Sequence, residues 1–166
     1  MIVTNGRTRL GIVLFIVAMG VSFVRTHAQA RRDGFTAATN LELAAARSAT
    51  ARYHDVAQAE ADGYVSVNLY IPGEGFHWVN SSLIDGIFDP MKPEVLLYAA
   101  VPGESHLKLV AVEYLVPLGA PRPAGFAGLA DVWRQDAEEF GLWELTAWIW
   151  EHNPYGLFAH LNPRVP

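Results

Sequence analysis

The chain has 166 residues, with 12 basic and 17 acidic side chains, a formal charge of −5 at pH 7 and no cysteine. Without cysteine there are no disulfide staples, thiolate metal sites or cysteine nucleophiles, so the fold must stand on its apolar core. The acidic balance argues against nucleic acid or an anionic membrane surface as a partner, because both repel a negative domain.

Residues 1–30 read as an export signal. Arg7 and Arg9 form a basic start, an apolar run covers 10–24, and Ala28-Gln29-Ala30 is a small-x-small cleavage site. The run is shorter than the roughly 20 residues a helix needs to span a bilayer. Cleavage after Ala30 is therefore expected, with a retained anchor as the alternative. Cleavage removes three of the 12 basic residues, leaving 9 against 17 acidic ones. The expected product is a periplasmic or secreted protein, free of the membrane, with enough chain for one sizeable core.

Residues 31–39 read as a flexible start, and 40–166 as a single α+β domain. Thr39 with Glu42 forms a capping-box pattern. Residues 40–61 are rich in Ala, Leu, Arg and Glu, which predicts one long N-terminal helix. Its apolar face would hold Ala46, Ala49, Tyr53, Val56 and Ala57, and Asp62-Gly63 would stop it.

The pattern then changes to that of an antiparallel sheet of about five strands, on which the helix would pack. Strands are expected at 64–71, 76–80, 94–101, 107–116 and 143–151, with a short last one at 157–160. A Pro-Gly turn at 102–105 predicts a hairpin. A short helix is expected within 129–140, and Asn153-Pro154-Tyr155-Gly156 matches a type I turn.

Five places attract chemistry. Glu113 lies in a run that is apolar on both faces, beside Leu107, Leu109, Ala111 and Leu115 on its own face. Such a strand is central, and a carboxylate there costs on the order of several kcal/mol unless it is paired or metal-bound. The alternative puts Glu113 at a strand end, reaching water or an arginine. His77 follows a Gly-x-Gly bend and points with Val79, away from Phe76, Trp78 and Asn80. It reads either as a metal or substrate contact or as a half-buried histidine beside aromatic packing.

His152 and His160 bracket the Asn-Pro-Tyr-Gly turn, and with His77 and Glu113 they are the candidate ligands of a divalent metal. Trp143, Trp148 and Trp150 read as core, with a ligand-stacking platform as the alternative. Asn80-Ser81-Ser82 fits a glycosylation sequon, a short pattern that occurs often by chance.

Several of these residues also carry a resemblance. They are Gly75-Phe76-His77-Trp78-Val79-Asn80, the Val112-Glu113-Tyr114 strand, and Trp148 and Trp150 before Asn153-Pro154-Tyr155-Gly156-Leu157-Phe158. Over roughly residues 50–165 the chain resembles a family of uncharacterised exported bacterial proteins. That family shares a Gly-x-Gly-x-His-x-x-Asn motif, a Val-Glu-Tyr strand and a closing Trp-x-Trp…Asn-Pro-x-Gly-x-Phe motif. The resemblance implies a fold neighbourhood and an exported location, but no activity. In the family a histidine more often stands where this chain has Thr146, and cysteines occur that this chain lacks. If the family site used that histidine with His77 and Glu113, Thr146 would leave this chain one ligand short.

Three functions follow as expectations. The first is a small domain that binds a small-molecule ligand in a Trp-lined pocket, contacted by His77, Asn80, Glu113, Thr146 and Trp148. The second is a divalent-metal-dependent enzyme using His77 and Glu113 with His152 or His160. The third is a structural or partner-binding envelope protein without a site.

Overall fold

The computed structural model describes residues 34–100, 106–136 and 140–166. The expected export signal and the Pro-Gly turn at 102–105 lie outside the described residues. The architecture is α+β, a helical segment followed by a six-stranded antiparallel sheet.

Helix α1 spans Ala37–Thr50, so it begins well inside the chain and not at its N-terminus. Thr36 caps it, with Thr39 completing a reciprocal capping box. The expected pair was Thr39 with Glu42, but both side chains are used elsewhere. The Thr39 hydroxyl donates to the Ala127 carbonyl, and Glu42 Oε2 accepts from the Ala127 amide at 2.7 Å. Together they tie the helix start to a distant loop.

The single long helix expected over 40–61 is broken. A 3₁₀ turn occupies Ala51–His54, and a second helix, α2, spans Val56–Ala61. Asp55 is extended, and its side chain accepts from the Ala57 amide at 3.0 Å, which restarts the helix as a new N-cap. Just before the break, the Thr50 hydroxyl donates back to the Ala46 carbonyl at 2.8 Å, a bond that bends helices. The break resets the buried face: Leu43, Ala46 and Ala59 are buried, whereas Ala57, expected inside, is exposed. Gly63 (φ 94°) ends α2, as expected.

The strands are β1 Val65–Ile71, β2 Gly75–Val79, β3 Val95–Ala100, β4 Leu107–Pro117, β5 Arg134–Asp136 and β6 Leu142–Ala147. Their order in the sheet is β1-β2-β3-β4-β6-β5. The count is six, not about five, because part of the segment expected to be helical at 129–140 is strand β5. Arg134 lies opposite Glu144 across β5 and β6, with Nη2 2.6 Å from Oε2. Such a cross-strand pair outweighs the weak helical preference of the segment. Residues 137–139 lie outside the described residues.

The sheet separates two apolar clusters. On one face Leu43, Ala46 and Ala59 of the helices pack with Trp78, Leu96, Tyr98, Val112 and Tyr114. On the other, Val95, Leu97, Ala111 and Leu115 join Trp148 and Val165 from the C-terminal segment. Strand β4 is central, as its double apolar pattern predicts. Its register with β3 shifts between Leu97↔Ala111 and Tyr98↔Leu109. The bulge falls at Val110, whose carbonyl accepts from the amides of Trp150 and Glu151 at 3.2 and 2.9 Å. It reverses the alternation, so Leu109 packs on the helix face and not beside Glu113 as expected.

The tryptophan-rich strand expected over 143–151 ends at Ala147, and no strand forms at 157–160 among the described residues. Trp148 leaves the sheet, its amide donating to the Leu157 carbonyl at 2.9 Å. The Asn153 turn forms, closed by the Gly156 amide on the Asn153 carbonyl at 3.1 Å. The C-terminal segment then folds back onto the bend at 73–75. The Asn162 amide donates to the Gly73 carbonyl at 2.8 Å, and the Gly73 amide to the Pro166 carbonyl at 3.2 Å.

Candidate functional site

That contact between the C-terminus and the bend builds the site. Gly73 and Gly75 both hold positive φ, 88° and 99°. A Cβ at Gly75 would overlap the Tyr98 carbonyl oxygen, so only glycine lets β2 start this close to β3. Glu74 is pinned between them and buried, its amide donating to the Ile71 carbonyl at 2.9 Å. The returning chain brings His160 alongside, with Nδ1 2.6 Å from Glu74 Oε1. Both atoms are buried and neither makes a hydrogen bond of good geometry, so the contact is a close ion-pair approach.

The remaining members come from the sheet register. His77 lies opposite Leu97, Val95 opposite Glu113, and Glu113 opposite Thr146. His77 and Glu113 therefore share a face on β2 and β4, and both are buried. His77 Nε2 lies 3.2 Å from Glu74 Oε2 and 3.8 Å from Glu113 Oε2. The Thr146 hydroxyl donates to Glu113 Oε1 at 2.9 Å.

The charges sort themselves by environment. Burial pushes the Glu74 carboxyl up, but the close contacts and positive charge of His160 and His77 overcome it and bring it down to about 2. Burial pushes Glu113 up, and the neighbouring Glu74 charge adds to this against the opposing His77 and Thr146. Burial alone would lower His77, but the hydrogen bond to Glu74 and the charges of Glu113 and Glu74 raise it. Glu74 therefore ionises before Glu113, and its carboxylate is the one that His77 and His160 approach most closely. Such a division of roles among neighbouring titratable groups is common at functional sites.

The cluster opens into a cavity of about 440 Å³ on the sheet face opposite the helices. Val67, Leu69, Val79, Val95, Leu115 and Leu142 form apolar walls drawn from five of the six strands. Glu74, His77, Glu113 and His160 line it as well, and the Arg134–Glu144 pair lies at the β5–β6 side.

The structure brings together only part of the expected set. His77, Glu113, Thr146 and His160 converge. His152 does not join them: it is exposed, and its carbonyl accepts from the Asn162 side chain at 3.3 Å.

Asn80 does not line the cavity. Its Nδ2 donates to the Asp62 carbonyl at 3.0 Å, and its Oδ1 accepts from the Ser82 amide and hydroxyl at 3.2 and 2.6 Å. It therefore caps the short 3₁₀ turn Ser81–Leu83 and is buried, so the sequon is spent on structure. Trp148 is core, its Nε1 donating to the Ala159 carbonyl at 2.6 Å, and no tryptophan is among the cavity's lining residues. The tryptophan walls expected from composition are aliphatic walls instead.

Glu74 is the member that sequence reasoning passes over, because Pro72-Gly73-Glu74-Gly75 reads first as a turn. The available signal is a carboxylate between two glycines, three residues before His77, in a turn that has no local use for an acid. No protein-family model, curated protein or solved structure matches the chain.

Proposed function

We propose that the protein binds a small, largely apolar molecule in the sheet-face cavity, with the polar end of that molecule at the Glu74–His77–Glu113–His160 cluster. The observation that carries this reading is the opening of a buried acid–imidazole cluster into a cavity of about 440 Å³ with mostly apolar walls and a charged edge at Arg134, Asp136 and Glu144. That volume falls within the roughly 300–1,000 Å³ common for small-molecule sites, which pair apolar walls with a few convergent polar groups. The physical cost adds support. Buried carboxylates and imidazoles stabilise a fold less well than apolar side chains of the same volume.

The same proposal places the protein outside the cytoplasm, in one domain. The basic start, apolar run and Ala28-Gln29-Ala30 site support the location. No helix among the described residues is long and apolar enough to cross a membrane.

The test is titration with the neutral fluorophore N-phenyl-1-naphthylamine. Saturable binding of one probe per chain is expected. Val67 lines the cavity but is about half exposed (49%), so a Val67→Trp variant would fill the cavity without overpacking a closed core. Binding should weaken at least about tenfold in that variant, through loss of apolar contact area. Absent or non-saturable binding, or binding indifferent to Val67→Trp, would refute the proposal.

A further inference from the structure

The cluster has a geometry that ion pairing alone does not require. Each of its two buried carboxylates has one oxygen against a neighbouring side chain and the other turned toward the same imidazole nitrogen. Glu74 Oε1 lies 2.6 Å from His160 Nδ1, and Glu74 Oε2 lies 3.2 Å from His77 Nε2. Glu113 Oε1 is held by the Thr146 hydroxyl at 2.9 Å, and Glu113 Oε2 lies 3.8 Å from His77 Nε2. One donor atom from each of Glu74, His77 and Glu113 falls within 4.8 Å of the other two.

We propose that Glu74 Oε2, His77 Nε2 and Glu113 Oε2 form a three-ligand site for a divalent transition-metal ion, with its open coordination position facing the cavity. A metal with bonds of about 2.0–2.2 Å to nitrogen and oxygen holds adjacent ligand atoms roughly 3–3.5 Å apart. His77 Nε2 stands at 3.2 and 3.8 Å from the two carboxylate oxygens, and one ligand atom from each of the three residues lies within 4.8 Å of the others, so an ion would draw the group together. Thr146 and His160 act as positioning residues. They fix the carboxylate oxygens that do not face the imidazole, the outer-shell role that orients metal ligands elsewhere.

One imidazole with two carboxylates suits zinc, manganese or ferrous iron better than calcium or magnesium, which take oxygen ligands almost exclusively. Three protein ligands and an open position match a metal that binds a further molecule, not a closed structural site. This inference rests on the cavity reading for what would fill the fourth position. It names the class of ligand: a largely apolar molecule ending in an oxygen or nitrogen donor that can coordinate the ion.

The metal is tested alone. The tag-free protein, stripped with chelator, is titrated with Zn²⁺ by calorimetry against a competing chelator. One equivalent per chain is expected. His77→Ala, Glu74→Gln and Glu113→Gln should each weaken binding by more than about 100-fold, and Thr146→Val by about 10–100-fold, the usual cost of losing an outer-shell partner.

The near-isosteric Gln variants guard against misfolding. Glu113→Gln should unfold at a temperature close to that of the metal-free parent, Glu74→Gln at a lower one because His77 and His160 lose their carboxylate, and neither should gain the Zn²⁺-dependent rise that the parent shows. No saturable binding overturns the site. So does binding unchanged in the Gln variants, or binding lost only on His152→Ala. Naphthylamine binding by metal-free protein is a separate readout. A protein that takes up the probe but not Zn²⁺ refutes the metal site alone, and one that takes up Zn²⁺ but not the probe refutes the cavity reading alone.

Discussion

On the helix-covered face of the sheet, the buried tyrosines Tyr64, Tyr98 and Tyr114 donate their hydroxyls to backbone carbonyls of Pro93, Tyr53 and Pro90 at 2.6, 2.6 and 2.8 Å. Their rings pack into the apolar cluster, and each polar atom is discharged onto the chain itself. On the opposite face, Glu74, His77 and Glu113 are equally buried but meet one another beside a cavity. The same strands supply both faces, since alternate residues of β2, β3 and β4 point to each. Other buried polar groups stand singly: Glu94 accepts from the Leu115 amide, and Trp78 Nε1 has no hydrogen-bond partner. What sets the opposite face apart is that three buried titratable groups meet one another, and do so where a cavity opens.

The difference can be broken from the stable side first. Leu96 is fully buried among the helix-face cluster. Leu96→Ala should cost about 2–5 kcal/mol in chemical denaturation. It should leave probe binding of the surviving folded fraction unchanged, and a matching loss of affinity would show that the faces are not independent.

Gly75→Ala strikes the seam between them. The left-handed backbone and the Tyr98 carbonyl oppose a side chain there, so a loss of about 1–3 kcal/mol is expected. The bend that carries Glu74 and His77 must shift as well, and cavity binding should fall together with stability. A stable variant with intact binding would contradict the role assigned to the bend.

A third test uses pH. Burial pushes the Glu94 carboxyl up to about 8, against the Leu115 amide that donates to its Oε2 at 2.9 Å. In the unfolded chain it titrates near 4.5. Between those values the folded protein holds a proton that the unfolded chain has released. Glu94 therefore contributes stability that is fully present below about 4.5 and is lost as pH rises through about 8. The slope from this one group is at most about 1.4 kcal/mol per pH unit. Glu94→Gln should flatten that part of the profile in denaturant melts at several pH values, and an unchanged profile would place the titration elsewhere.

The smallest effect is expected at the cavity's edge. Arg134 is partly exposed, so replacing it with Gln should cost less than about 1 kcal/mol despite its 2.6 Å contact with Glu144.

How much of this was legible in the sequence follows the range of each interaction. The alternation of His77 with Val79 and the double apolar pattern around Glu113 are local, and they give the face of His77 and the central strand of Glu113, but not the neighbours of Glu113, since Leu107 and Leu109 pack on the other face. The family resemblance points to position 146 as a third member beside His77 and Glu113, and the β4–β6 register sets the Thr146 hydroxyl 2.9 Å from Glu113 Oε1. The bulge at Val110 could not be read, because it depends on amides some 40 residues downstream in sequence, at Trp150 and Glu151. The pairing of β5 with β6 is tertiary as well, so the local pattern of 129–140 does not reveal the strand. The helix break at Asp55 was visible as an N-cap residue before Val56 but was masked by the alanine-rich composition around it. Glu74 needed the C-terminal segment to be folded back before its burial and its His160 partner could be seen.

The central claim is that the charged cluster is held against the interest of stability because it binds. The direct measurement is the unfolding free energy of the triple variant Glu74→Gln, His77→Leu, Glu113→Leu beside the parent, both metal-free and at neutral pH. Replacing a buried ionic cluster with apolar groups of similar volume is often neutral or stabilising by about 1–4 kcal/mol. The account predicts a triple variant at least as stable as the parent that no longer takes up Zn²⁺. A variant several kcal/mol less stable would contradict it, and would make the cluster part of what holds the fold together.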